Sequence, residues 1–444
     1  MANRYWVGGT ANWDATAGTK WALTSGGAGG QAVPTSNDDV FFDGSSGAIT
    51  CTVTVILIVK SLSFSGFTGT FTNTAGHIMI IGGNLTFSSA MTLNCSNGYW
   101  QLSADAVITS NGKTINGSIL MSTATKVLTL ADALVSTSHV FGDGSGSIVT
   151  NNFNLTCSRF NSLGSASATI NLGTSTITVT GTGTVFKGIG TITSTGTIEI
   201  TDTSATAKTF DGQGKTYGTL KTTGDNILIT GNNTFSVLDI NNGGRTNGLK
   251  VTAGSTQTVS SVIGNGSGGS LSKIQSSSAA SAYTISVPAT HLYGDNYFSI
   301  QDCTVSGGNW YAGTGSTSVS GNTNVIIANL FKVILTDTVA ATETFIKFMR
   351  RIFSDTVTTI GTVTNMISKR VSEILTITEN FYKNRLKLLM DTIVLADTFT
   401  KLYTRAWSSL SRLATIWDRQ ARNTAGSDWS KSQRVNNDGD WTRQ

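Results

Sequence analysis

The sequence predicts an all-β protein, with a right-handed parallel β-helix as its body and a repetitive C-terminal segment after it. Stretches that alternate apolar and small polar residues recur through residues 1–330, as in strands with one buried face. Similar stretches return at a short interval, as LSFS at Leu62 does in LTFS at Leu85. Of 49 glycines, 46 precede residue 330. Repetition at such a short period favours a solenoid.

Seven segments show the alternation most clearly, and Gly or Asn residues flank them at positions suited to tight turns. They are Thr50–Val55, Ser61–Ser65, Asn84–Ser88, Asn154–Ser158, Ser175–Thr180, Gly196–Thr201 and Asn226–Thr230. Leu220, Leu238 and Val259 recur at similar intervals and are interpreted as equivalent positions of successive coils. A series of antiparallel sandwiches is the alternative.

Residues 1–45 are predicted to form an N-terminal cap. Trp6, Trp13 and Trp21 recur at near-regular intervals before a turn at Pro34. The open end of a β-helix is an exposed sheet edge, and large aromatic side chains can cover it. The alternative for these tryptophans is a ligand-binding aromatic platform.

Charge separates the chain into two parts. Residues 1–330 contain 13 Lys and Arg against 14 Asp and Glu, whereas residues 331–444 contain 17 against 11. The basic residues of the tail alternate with acidic and apolar ones, so the pattern predicts a solvated or protein-contacting surface and no nucleic-acid binding. The longest apolar run, Val53–Val59, is too short to span a membrane. The four cysteines lack metal-site spacing and are predicted to be free and mostly buried.

No recognised catalytic motif or cofactor site is found in the sequence, so the prediction is a protein without a cofactor. Asp38, Asp39 and Asp43 lie close together in the segment DDVFFD and form a weak candidate calcium site. Turn capping and a solvated surface are the alternative for these three carboxylates.

Glycoside hydrolysis requires two carboxylates across a cleft. Stacked coils can bring distant acidic residues together, but the sequence selects no pair among them. The candidates are Glu199, Asp202, Asp211, Asp225 and Asp239. The prediction is therefore a non-enzymatic protein, with glycan cleavage as an alternative.

Residues 331–408 contain four tandem repeats of equal length that begin at Asp337, Asp355, Glu373 and Asp391. Alternating positions and β-branched residues favour strands, whereas acidic starts and basic ends favour helices, so both structures stay open. Each repeat exposes a narrow apolar stripe that must pack on other copies or on another protein. The predicted interface residues are Phe345, Phe353, Phe381, Phe399 and Trp407.

Residues 409–444 contain a second, shorter repeat, in which tryptophans recur at equal intervals and arginines follow them. Tryptophan and arginine are enriched at interface hot spots and allow cation–π contacts. The segment is predicted to dock into a larger assembly, and disorder is the alternative. The predicted docking residues are Trp417, Trp429, Trp441, Arg419, Arg422 and Arg434.

Several segments resemble virion proteins of tailed bacteriophages, of the β-helical fibre, spike or decoration type. They are the opening YWVGGTANWDATAGTKWAL, the stretch FDGQGKTYGTLKTTGDN, the closing NWYAGTGSTSVSGNTNV at 309–325, the LTDTV and FSDTV repeats, and the tail DWSKSQRVN. The resemblance implies an oligomeric, usually trimeric, protein of the phage particle, bound to other virion proteins. Recognition of the host surface, including its glycans, is a common role of such proteins.

The predicted organisation is a cap at 1–45, a β-helix at 46–330, an oligomerising stalk at 331–408 and a docking segment at 409–444. The predicted function is a structural fibre or spike of a virion, assembled in the host cytoplasm. A typical tail fibre attaches through its N-terminus, whereas the attachment-like segment here is C-terminal, so a capsid decoration protein stays open. A polysaccharide-degrading tailspike and a secreted bacterial adhesin are further alternatives.

Overall fold

In a computed structural model, the chain forms a stack of short β-strands. The structure describes residues 2–95, 98–140, 146–161, 168–287, 291–293 and 296–328, together with residues 434–435 and 441–442. The chain divides into two compact units, Met1–Ala341 and Thr342–Gln444. Strands are numbered β1 to β42 in chain order.

Two sheets begin at the N-terminal end of the first unit, sheet A with ten strands and sheet B with four. Sheet A contains β1 (Asn3–Trp6), β3 (Trp21–Ala22), β4 (Asp39–Phe41), β7 (Ser61–Ser63), β10 (Leu85–Thr86), β13 (Ala106–Thr109), β16 (Val127–Leu130), β19 (Ser147–Val149), β22 (Thr169–Gly173) and β25 (Thr191–Ser194). Sheet B contains β2 (Ala11–Trp13), β5 (Thr50–Val53), β8 (Thr70–Thr72) and β11 (Thr92–Asn94).

Sheet C has thirteen strands and runs along most of the unit. It contains β6 (Leu57–Val59), β9 (Ile78–Ile81), β12 (Tyr99–Leu102), β15 (Ser118–Met121), β18 (His139–Val140), β21 (Arg159–Asn161), β24 (Gly183–Lys187), β27 (Lys208–Asp211), β29 (Ile227–Thr230), β31 (Leu249–Val251), β33 (Ser272–Ser276), β36 (Phe298–Gln301) and β39 (Thr317–Ser320).

Sheet D has ten strands, and sheet E has three strands near residue 328. Sheet D contains β14 (Thr114–Ile115), β17 (Leu134–Ser136), β20 (Leu155–Cys157), β23 (Thr176–Val179), β26 (Thr197–Ile200), β28 (Thr216–Thr222), β30 (Thr234–Ile240), β32 (Thr256–Gly264), β34 (Tyr283–Ser286) and β37 (Cys303–Ser306). Sheet E contains β35 (His291–Tyr293), β38 (Asn309–Ala312) and β40 (Val325–Ile327).

Strand pairing confirms the predicted parallel β-solenoid. Successive coils of the chain place each strand beside its counterpart one coil later, so the named strand pairs of sheets A to E are parallel except for the β1–β3 pair. Each of the seven predicted segments contains a strand, and the described residues include no α-helix, only a 3-10 turn at Gly44–Ser46. The alternative of stacked antiparallel sandwiches is wrong.

The strand register follows the predicted repeat for two pairs of residues and departs from it for a third. Leu62 pairs with Leu85, and Leu220 pairs with Leu238, as the spacing indicates. Val259 is not the next member of the second column, because Leu238 pairs with Val262. Two neighbouring columns of buried residues run through β28, β30 and β32, and Val259 belongs to the column of Tyr217 and Phe235.

One continuous hydrophobic cluster fills the interior from Trp6 to Ala312. Aromatic rings stack in columns from coil to coil, since residues in register lie about 4.8 Å apart along the solenoid. Phe160, Phe186 and Phe210 form one such column, with ring centroids 5.4 and 4.9 Å apart. All four cysteines are free and buried, as predicted, and burial raises the pKa of the Cys157 thiol to about 12.

The three tryptophans of residues 1–45 lie in the core. Trp6, Trp13 and Trp21 are 0–2% exposed, and the ring of Trp21 contacts those of Trp6 and Trp13 edge to face, with centroids 5.0 and 4.8 Å apart. β3 pairs antiparallel with β1 at the end of sheet A. Because their rings are buried, these tryptophans present no aromatic platform to a ligand. The boundary of a separate cap at residue 45 stays a prediction.

Polar side chains and glycines shape the turns between strands. The backbone N–H of Thr174 donates to Asn152 Oδ1 of the preceding coil at 2.9 Å, which links two turns. Gly218 lies where a side chain does not fit: a Cβ there would lie 2.4 Å from the carbonyl oxygens of Thr195 and Gly196. Among the described residues of the second unit, β41 (Arg434–Val435) and β42 (Trp441–Thr442) pair antiparallel.

Candidate functional surfaces

The predicted interface residues of the tail lie outside the described residues. The exceptions are Arg434 and Trp441, of which the backbone is described, in the antiparallel pair β41–β42. The predictions for the tail therefore stay predictions. The predicted interface residues that lie outside the described ranges are Phe345, Phe353, Phe381, Phe399, Trp407, Trp417, Trp429, Arg419 and Arg422.

The three carboxylates of the DDVFFD segment have separate partners within the protein. Asp38 accepts hydrogen bonds from Ala2 N–H and from the backbone N–H and hydroxyl of Thr35, at 2.9 to 3.1 Å. Burial by itself raises the pKa of Asp38, but these hydrogen bonds bring the net pKa below its usual value. The carboxylate therefore stays ionised and closes the turn before β4.

The neighbouring acidic residues also stabilise local structure. Asp39 forms an ion pair with Lys60 of the next coil at 2.8 Å. Asp43 caps the 3-10 turn, where its carboxylate accepts hydrogen bonds from the backbone N–H groups of Ser45 and Ser46. No group of three or more His, Cys, Asp or Glu side chains suited to a metal ion occurs among the described residues.

Two of the glycosidase candidates lie on one row of the outer face of sheet D. Glu199 of β26 is in register with Lys221 of β28, which is in register with Asp239 of β30. The two acidic residues are therefore two coils apart, about 9.6 Å along the stack at the usual strand spacing. Lys221 lies between them, with its Nζ 3.2 Å from Glu199 Oε1. The arrangement is an alternating charge row at the surface.

Two other candidates lie at a turn around a buried cation. Lys208 is fully buried, and its Nζ lies 2.7 Å from Asp202 Oδ1 and 2.9 Å from the carbonyl oxygen of Asp225. Burial raises the pKa of Asp202, but the hydrogen bonds and charge of Lys208, with hydrogen bonds from Ser204, bring its net pKa below the usual value. The ionised Asp202 carboxylate compensates the buried ammonium group.

The Asp225 carboxylate faces the next coil instead. It accepts hydrogen bonds from the backbone N–H groups of Asn247 and Gly248 at 2.9 and 2.7 Å. Asp211, on sheet C, accepts hydrogen bonds from Gln213 Nε2 at 2.7 and 2.8 Å and from Thr230 Oγ1 at 3.0 Å. The candidate acids are thus distributed over two sheets and a turn, each with protein partners.

Sequence reasoning did not single out an apolar surface near the start of sheet C. We define the apolar patch as the outward-facing side chains of Ile56, Ile58, Ile78, Ile80, Tyr99 and Leu120. Ile56, Ile58 and Tyr99 are 56%, 47% and 42% exposed. The signal in the sequence was the second half of the run Val53–Val59, where the outward residues Ile56 and Ile58 are apolar as well as the inward ones.

Comparison of the chain with known protein families, with curated proteins and with solved structures finds no match. The described part of the chain has no helix long and apolar enough to cross a membrane.

Proposed function

We propose that this protein is a structural component of a tailed-phage virion, a β-helical fibre or spike. In this proposal the solenoid projects from the particle and contacts the host surface. The C-terminal repeats anchor the protein and join its copies, with three copies as the expected number. The single observation that carries the proposal is the body itself, a parallel solenoid with one unbroken core from Trp6 to Ala312.

Two physical properties of the body support a projecting role. Each coil packs on its neighbours, so the solenoid extends in one direction without a separate globular core. The buried aromatic columns and the coil-to-coil hydrogen bonds stiffen it, as between Asn152 and Thr174. A rigid rod with a variable outer face suits a protein that must reach a distant surface.

Detection of the chain on purified particles tests the proposal. Antibodies against the full chain should decorate virions in electron micrographs, and quantitative mass spectrometry of those virions should give a copy number divisible by three. Decoration along the capsid instead of the tail would select the head-fibre or decoration alternative. Recovery of the chain only from the bacterial envelope or medium would favour the adhesin alternative and contradict a virion role.

Glycan cleavage is a second candidate, favoured by the row of Glu199, Lys221 and Asp239 on sheet D. The carboxyl groups of inverting glycosidases are about 6.5–9.5 Å apart. The strands that contain Glu199 and Asp239 are about 9.6 Å apart. Incubation of the full chain with host polysaccharide should release no reducing ends if the row is only structural. Release that disappears in both Glu199→Gln and Asp239→Asn would establish a cleaving spike.

A further inference from the structure

The apolar patch consists of two adjacent columns on the outer face of sheet C. In the first column Ile58 pairs with Ile80, and Leu120 follows after Gln101. In the second column Ile78 pairs with Tyr99, and Ile56 occupies the preceding coil, one residue before Leu57. Both columns cross the neighbouring strands β6, β9 and β12, so the side chains form one surface.

Farther along this sheet most outward residues are polar, and Leu228 of β29 is an apolar exception. Lys187 and Asp211 are in register on β24 and β27, and Lys250 and Gln275 are in register on β31 and β33. A sheet with one wet face normally alternates apolar residues inward and polar residues outward. The first coils depart from that rule, and a contiguous exposed apolar surface commonly marks a contact site.

The absence of charge on the apolar patch favours a second copy of the same chain as its binding partner. The two columns of the patch contain no charged side chain, so two copies of this surface can meet without like-charge repulsion. The same sheet farther along places Lys187, Asp211 and Lys250 outward, and self-contact there would have to remove charged groups from water. The uncharged part of the face is the part suited to self-association.

The area of the patch sets the strength of such a contact. The exposed fractions of Ile56, Ile58 and Tyr99, with the half-buried side chains beside them, give roughly 300–400 Å² per copy, against about 800 Å² per partner in a stable interface. The patch alone is too small to hold two free copies together. Copies that are already linked need much less, because linkage raises their effective concentration to the millimolar range.

We propose that the apolar patch is a lateral contact between copies of this chain, formed after the C-terminal repeats have joined them. The inference rests on the oligomerisation contained in the proposed function. It adds where the solenoid bodies touch: at their first coils, through sheet C. The contact would remove Ile56, Ile58 and Tyr99 from water and fix the bodies side by side.

Cysteine cross-linking of the full chain tests the contact. The four native cysteines are buried, so Ile58→Cys introduces an accessible thiol within the patch, on its first strand β6. Thr209→Cys, on the outer face of β27 in the same sheet, is the matched control. With a short bis-maleimide reagent, the chain carrying Ile58→Cys should form covalent dimers at least about tenfold faster than the control. Adding Ile80→Glu to Ile58→Cys should return the rate to the control level.

Light scattering and thermal melting of the same samples distinguish the outcomes. An oligomer in which Ile58→Cys and Thr209→Cys cross-link equally fast would overturn the patch contact and leave oligomerisation intact. A single copy in solution would overturn both the oligomerisation and the contact. Cross-linking of Ile58→Cys on virions to a different protein would overturn the second copy as occupant. Melting curves equal to the native chain show that each variant is folded.

Discussion

Replacing Asp202 by Asn tests whether the buried ammonium group of Lys208 depends on one counter-ion. Lys208 has no exposed side-chain surface, and its Nζ lies 2.7 Å from Asp202 Oδ1, whose side chain is 25% exposed. The backbone carbonyls of Ser204 and Asp225 accept further hydrogen bonds from Lys208 Nζ, and so does the Ser204 hydroxyl at 3.3 Å. Asp202→Asn keeps the shape of the side chain and removes the negative charge.

The structure sets the expected magnitude. Removing one member of a buried ion pair costs about 3–5 kcal/mol, because the other charge is left uncompensated. Asp202 is partly exposed and the two carbonyls remain, so the loss should be smaller, about 2–3 kcal/mol, in line with a hydrogen bond to a charged group. Lys208→Met removes the buried charge itself. The double variant with Asp202→Asn and Lys208→Met should therefore lose less stability than the sum of the losses in the two single variants, by at least about 1 kcal/mol.

Native-state hydrogen exchange measures this cost locally, because coils of a solenoid open in local units. The amides to follow are those of Lys208 and Asp225, which donate to the carbonyls of Asn226 and Asp202 at 3.0 Å. Their exchange should be about 30- to 150-fold faster in Asp202→Asn, the equivalent of about 2–3 kcal/mol. The amide of Leu62, several coils away, should be unchanged. Exchange within threefold of the native chain, or strict additivity of the two substitutions, would refute the reasoning.

The ion pair of Asp202 and Lys208 predicts that the local stability of the fold decreases in acid. The pKa of Asp202 is lower in the folded chain than in the unfolded one, so its stabilising contribution is present above the unfolded value, about 3.9. The contribution disappears as the pH falls through the folded pKa, because the unfolded chain binds the proton more tightly than the folded chain does. Protection of the Asp225 amide should fall in acid in the native chain and fall less in Asp202→Asn.

Three further predictions concern the body. Phe186→Ala, in the middle of an aromatic column, should cost about 3–5 kcal/mol and accelerate exchange in the coils on both sides, whereas a loss confined to β24 would contradict coil-to-coil packing. Gly218→Ala should lower stability by about 1–3 kcal/mol through overpacking, while Gly44→Ala, whose nearest neighbour would be 3.8 Å away, should melt like the native chain. The four buried thiols should react with Ellman's reagent at pH 8 only after denaturation, and rapid labelling of the folded chain would contradict their burial.

Much of the fold was predictable because the buried residues of successive coils recur in the sequence at similar intervals. The pairing of Leu62 with Leu85 follows from two nearly identical segments, LSFS and LTFS, that stand one coil apart. Parallel stacking was also predictable, since the segments repeat without hairpin turns between them. The handedness and the boundaries of cap and stalk stay predictions.

The register at Val259 was not predictable from spacing, because the coils vary in length. Leu220 pairs with Leu238, but the next coil is longer, so that Leu238 pairs with Val262 and passes over Val259. The inward direction of the Lys208 side chain was equally difficult to predict from the sequence. Alternation puts it in line with the buried Phe210, and only the fold brings Asp202 and Asp225 around its ammonium group.

The run Val53–Val59 shows how one sequence pattern can contain more than its first interpretation. Seven consecutive apolar and threonine residues are too few for a membrane span, and that was all the sequence indicated. A strand apolar on both faces is typically covered on both sides. Leu57 and Val59 are covered by the core, whereas Ile56 and Ile58 face outward and are exposed. The exposure of these two isoleucines is therefore what supports our proposal that a neighbouring copy of the chain covers the first coils.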